Sequence, residues 1–178
     1  DFLMSWEQAV ATAASLGGGV NRLQDLIAQT CNSGISNDAS AACSVLSPIV
    51  TPDPKVAIAS LPDIMGNPPN HHGAGSVNQA INCFEQRFGN RTVEIRGTED
   101  VTAFTINFNG YSGSPTGDNY AHYTIEWTSH SEKVMIKLAG RAASGSACGY
   151  GNCYGASTIN GGPYHFKLDL LDGKSLGN

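Results

Sequence analysis

At Asn90 the grammar of the chain changes, and any fold must accommodate the change. Upstream, helix-start chemistry recurs three times. Ser5-Trp6-Glu7-Gln8, Asn21-Arg22-Leu23-Gln24 and Ser76-Val77-Asn78-Gln79 each place a small polar acceptor three residues before Gln, so both side chains can satisfy orphan backbone N–H groups. Gly17-Gly18-Gly19, Cys31-Asn32-Ser33-Gly34 and Gly89-Asn90 supply stops that tolerate a left-handed cap. A fourth, shorter helix is predicted over 38–46. Most of the prolines gather between Ser47 and Gly75, where no period survives. Val56, Ile58, Leu61, Ile64 and Met65 within that stretch predict a connector packed onto the surface, not a free linker.

Downstream the period falls to two. Thr92–Arg96, Thr102–Asn109, Ala121–Thr128 and Lys133–Ala139 alternate or cluster β-branched and aromatic residues, with turn chemistry between them. A small-residue loop runs from Gly140 to Gly162, and Tyr164–Leu170 reads as a fifth strand. Helices in front and strands behind predict a single α+β domain over 1–178. Its helical part, 1–89, is expected to pack on one face of a C-terminal antiparallel β-sheet of about five strands, 90–178.

Composition narrows the function. The chain has 178 residues, a formal net charge of −5 and only 14% charged residues. Its ten Lys and Arg form no stripe that could follow a phosphate backbone, which argues against nucleic acid. No apolar run is long enough to be a transmembrane segment. A start at Asp1 reads as a processed leader, and the cysteines agree with export. None has C-x-x-C spacing; Cys31 with Cys43 and Cys148 with Cys153 read as two disulfides, the first closing a loop worth about 2 to 3 kcal/mol. Cys83 is then left over and reads as a buried thiol. The expected location is secreted or extracellular, where the sequon Asn90-Arg91-Thr92 would matter in a eukaryotic route.

Several residue sets invite chemistry. His165, Asp169 and the loop cysteines contain the parts of a Cys-His-Asp nucleophilic set, but residues 165 and 169 of a strand lie about 13 Å apart. Glu126 and Asp169 could act as the carboxylate pair of a glycoside hydrolase if their strands were neighbours. His71 and His72 with His122 or His130 lack a third ligand at defined spacing, so no metal and no cofactor is expected. The Asn109–Tyr120 stretch reads as a strand connection whose Tyr111, Asp118, Asn119 and Tyr120 suit a sugar: rings stack on pyranose faces while Asn and Asp take hydroxyls. Phe2, Leu3 and Trp6, if not buried within the chain, would form a patch that docks into the next copy.

Ile136-Lys137-Leu138-Ala139-Gly140, then Ile159-Asn160-Gly161-Gly162-Pro163-Tyr164-His165, Leu171-Asp172-Gly173 and Leu176-Gly177-Asn178 form a further pattern. This C-terminal third resembles β-sandwich modules of large bacterial secreted and surface proteins. The resemblance implies a unit for display or assembly and brings no catalytic motif with it. The expected function is therefore a secreted or cell-surface binding or structural protein, self-assembling and without catalytic activity, with itself or a surface glycan as partner. The alternatives are a small secreted polysaccharide-active hydrolase and, third, a secreted toxin or effector whose helices meet a membrane.

Overall fold

In the computed structural model, residues 2–15, 55–71, 75–141 and 166–175 are described. The helices expected to start at Asn21 and near residue 38 lie outside them, as do Cys31, Cys43, His72, Cys148, Cys153 and His165. So do the side chain of Trp6 and most of the segment carrying the sandwich resemblance.

The elements in chain order are β1 (Phe2–Met4), α1 (Trp6–Ser15), β2 (Lys55–Ser60), α2 (Val77–Phe88), β3 (Thr92–Gly97), β4 (Val101–Gly113), β5 (Asn119–Ser129), β6 (Val134–Lys137), β7 (Ala139–Arg141), β8 (Leu170–Leu171) and β9 (Lys174–Ser175). Both described helices start on a capping box. Ser5 Oγ accepts from the Gln8 N–H at 3.0 Å while the Ser5 N–H donates to Gln8 Oε1 at 3.2 Å. Ser76 and Gln79 repeat the arrangement at 3.1 and 2.8 Å. Gly89 then closes α2 with φ +80, a left-handed value that costs glycine nothing, and its N–H donates to the Glu85 carbonyl.

The expected α+β arrangement is not the one adopted. Among the described residues strand predominates over helix, and the strands fall into four small antiparallel sheets: β1-β7, β2-β3-β6, β4-β5 and β8-β9. No five-stranded platform carries the helices on one face among the described residues. Three physical causes account for the difference. Phe2–Met4 and Lys55–Ser60 are extended and hydrogen-bonded to distant strands, so the front of the chain supplies strands as well as helix. The β4–β5 pair is interrupted between Thr102 and Thr105 and between Phe108 and Gly110. Ala103 at φ 49 and Gly110 at φ 106 sit at those steps, and such bulges bend and twist a ribbon away from its neighbours. Finally, Phe166–Asp169 pairs with no strand among the described residues, and what was expected as a fifth sheet strand shrinks to Leu170–Leu171 bonded to Lys174–Ser175.

Two apolar clusters share β1 as a wall. Phe2 and Met4 point into one with Ile64, Val77, Ala80, Ile81 and Phe84, and Leu3 points into the other with Ala59, Leu61, Val93 and Ile106. Strand periodicity produces this division, since successive side chains leave opposite faces. Val77, Ala80, Ile81 and Phe84 form the matching stripe of α2, three and four residues apart. Of the five apolar residues expected to pack down from the connector, Leu61 and Ile64 are buried while Val56, Ile58 and Met65 are exposed, and 55–60 forms β2 instead of irregular chain.

Buried charge is organised around two cations. Arg91, 1% exposed, donates through Nε to Glu85 Oε1 at 3.0 Å, through Nη1 to the Leu3 carbonyl at 3.2 Å and through Nη2 to the Pro62 carbonyl at 2.7 Å. Its guanidinium also lies 5.5 Å from the Phe2 ring centre. Lys137, also buried, bonds Glu7 of α1 and Glu94 of β3, and Glu94 also bonds Arg96. Cys83 on α2 is held in a disulfide whose partner lies outside the described residues. The reading of Cys83 as a free thiol therefore does not hold.

Candidate functional site at the end of the long hairpin

The β4–β5 hairpin presents one face to the interior and one to solvent. Ile106, Phe108, Tyr123 and Ile125 turn inward, while Thr105, Asn107, Asn109, Thr124, Glu126 and Thr128 stand exposed in a row of small polar side chains. Cross-strand register sets Thr105 opposite Glu126 and Asn107 opposite Thr124. Asn109 Nδ2 donates to Thr124 Oγ1 at 2.8 Å, which fixes part of the row.

Strand pairing continues well into the stretch expected to be a loop. Ser112 lies opposite Tyr120 and Gly113 opposite Asn119, so only Ser114–Asp118 form the connection. Asn119 Nδ2 donates to the carbonyls of Ser114 at 2.9 Å and Gly117 at 2.8 Å, closing the turn. Gly113 is required there: its φ is +128, and an added Cβ would lie 2.3 Å from the Asp118 carbonyl oxygen.

The four residues expected to bind a ligand therefore divide. Asn119 serves the turn, and Tyr111 packs edge-on against Phe108 with ring centres 5.1 Å apart. Asp118 is exposed, and Tyr120 is 50% exposed at the hairpin end, 6.5 Å from the His122 ring. Further residues not expected as ligand contacts join Tyr120. Ser112 Oγ is in hydrogen-bond contact with His122 Nε2. Lys167 and Asp169 form a 2.8 Å ion pair within electrostatic reach of the hairpin end, Lys167 of Tyr120 and Asp169 of His122. The bond to Lys167 holds the Asp169 carboxyl below its ordinary range, and the same bond raises Lys167. Reading 109–119 as a loop hid this cluster. The alternation Tyr111, Gly113 and Asn119, Tyr123 around a compact Ser-Pro-Thr-Gly-Asp turn was the available signal.

Other candidate groups are dispersed. Glu126 stands exposed on β5, four residues or about 13 Å of strand from His122, and Asp169 is ion-paired with Lys167. Among the described residues the bonded partner of Asp169 is Lys167, not a second carboxylate. His71 donates its backbone N–H to Pro68, His130 is exposed beyond β5, and among the described residues no group of three His, Cys, Asp or Glu could hold a metal. Phe2 and Leu3 are 5% and 9% exposed, so they build the core and offer no patch to another copy. Among the described residues no helix is long and apolar enough to cross a membrane. Comparison with protein-family models, curated proteins and solved structures finds no match.

Proposed function

We propose that the protein is a secreted or cell-surface binding protein that engages a glycan with the solvent face of the β4–β5 hairpin. The observation that carries the reading is Tyr120. Its half-exposed ring stands at the end of the exposed row of Thr and Asn side chains, with the Ser112–His122 contact next to it and the Lys167–Asp169 pair within electrostatic reach. A flat ring offers the apolar face of a pyranose a stacking surface, and the surrounding donors and acceptors match its hydroxyls. Hairpin backbone bonding holds Ser112, Tyr120 and His122 in place before a ligand arrives, which lowers the ordering cost of binding. The low charge content and the disulfide at Cys83 support an oxidising, extracellular setting.

A glycan array probed with the whole chain tests the reading, followed by titration of any glycan retained. Tyr120→Ala is expected to weaken that glycan about tenfold without changing thermal stability. An array without binding, or a Tyr120→Ala variant of unchanged affinity, defeats it.

A second reading, hydrolysis, draws on the Ser112–His122 contact with Asp169 nearby, the residue types of a serine nucleophile, its base and a carboxylate. All three are open to water, and the carboxylate is bonded to Lys167, not shown bonded to the imidazole. Such a setting gives the serine no dry, preorganised surroundings, so binding is the better supported function.

A further inference from the structure

Four large apolar side chains crowd into six residues of the C-terminal segment and stay largely exposed, Phe166 at 65%, Leu168 at 65%, Leu170 at 60% and Leu171 at 43%, with the Phe166 ring lying over Gly140 of β7. Phe166, Leu168 and Leu170 alternate with Lys167 and Asp169, and the Lys167–Asp169 ion pair is the contact expected of residues sharing one face of an extended chain. Among the described residues, no backbone hydrogen bond holds Phe166–Asp169. Pairing begins only at Leu170–Leu171, which bond Ser175 and Lys174 across an Asp172-Gly173 turn with φ 50 and 72. An extended stretch outside any sheet, with an exposed apolar face, is a template for another strand.

We propose that Phe166–Leu170 pairs antiparallel with the same segment of a second copy, about a two-fold axis at Leu168. Opposed residues in such a pair share a face. With the axis at Leu168, Phe166 meets Leu170 of the partner subunit, Leu168 meets Leu168 of the partner subunit, and Lys167 meets Asp169 of the partner subunit. One face becomes wholly apolar and the other carries two opposite-charge pairs. Neighbouring registers fail. An axis at Lys167 opposes two lysines, an axis at Asp169 opposes two aspartates, and a slip of one residue sets charged side chains against apolar ones. Charge and hydrophobicity thus select one self-complementary register, as a closed two-fold contact requires. The proposal uses no residue of the β4–β5 face but shares Lys167 and Asp169 with the proposed glycan site, and sedimentation without glycan reads the dimer alone, so the two readings fail separately.

Sedimentation velocity on the whole chain across a micromolar concentration series tests it. The unaltered chain is expected to form a dimer. Lys167→Asp alone and Asp169→Lys alone each create like-charge pairs in the register and are expected to weaken the dimer about tenfold. The double variant K167D/D169K restores the opposite-charge pattern and should recover the dimer. An equimolar mixture of the two single variants should form the mixed dimer, in which the two carboxylates of one copy face the two ammonium groups of the other. A chain that stays monomeric throughout, a dimer indifferent to both single changes, or a double variant no better than the singles overturns the proposal.

Discussion

Arg91 Nη1 donates to the carbonyl of Leu3 at 3.2 Å across 88 residues of sequence, and that bond stitches the start of the chain to the strand that follows α2. The same guanidinium reaches Glu85 and Pro62, so a single buried cation joins four segments. Removing one partner of a buried charged network strands the others without water. Arg91→Met should therefore destabilise the fold by about 3 to 5 kcal/mol, read as a lower urea midpoint, whereas Arg87→Met on the exposed side of α2 should change little. Equal effects of the two changes would contradict the role given to Arg91.

Gln8 plays two parts. Its Oε1 completes the α1 capping box, and its Nε2 lies within 2.9 Å of the Gly89 and Asn90 carbonyls and 3.3 Å of that of Phe88. Gln8→Ala leaves orphan groups at the start of α1 and at the end of α2. A loss of about 1 to 2 kcal/mol is expected in chemical denaturation, more than for loss of the Gln79 side chain in the exposed box at Ser76.

Burial pushes the Glu94 carboxyl up, but hydrogen bonds and charge from Arg96 and Lys137 outweigh it and hold the group below the ordinary glutamate range. A carboxyl depressed in the folded state favours folding at pH above its unfolded value. That contribution fades as pH falls through the lower, folded value. The stability difference between the unaltered chain and Glu94→Gln should therefore be full near neutral pH and vanish in acid. A difference that grows on acidification would reverse the assignment.

Gly113 and Gly110 both have positive φ, +128 and +106, yet only Gly113 faces the Asp118 carbonyl at 2.3 Å from where a Cβ would stand. Gly113→Ala should distort the Ser114–Asp118 turn and cost about 1 to 3 kcal/mol, while Gly110→Ala, open on all sides, should cost less. Thermal melts of the two variants compare them directly. Loss of glycan binding in Gly113→Ala, with Gly110→Ala retaining it, is the expected companion result.

Cys83 of α2 is held in a disulfide, and the expected bridges Cys31–Cys43 and Cys148–Cys153 lie outside the described residues. Alkylation of the unreduced, unfolded chain followed by peptide mass analysis should find Cys83 unmodified and an odd number of cysteines labelled. Alkylated Cys83 would contradict the disulfide.

What the sequence by itself determined is local. Ser5 with Gln8 and Ser76 with Gln79 read as helix starts because a capping box closes within four residues. The alternation of Thr92–Arg96 and Ala121–Thr128 reads as strand because the side-chain period is carried by consecutive letters. Tertiary structure alone decided which strands pair. Phe2–Met4 bonds Ala139–Arg141 and Lys55–Ser60 bonds Thr92–Gly97 through backbone groups that every residue carries, so the letters do not name the partner. The cluster of Ser112, Tyr120, His122, Lys167 and Asp169 followed the same logic. Its members come from two facing strands and a distant segment, and only the register of the long hairpin and the path of the returning chain bring them within electrostatic reach of one another.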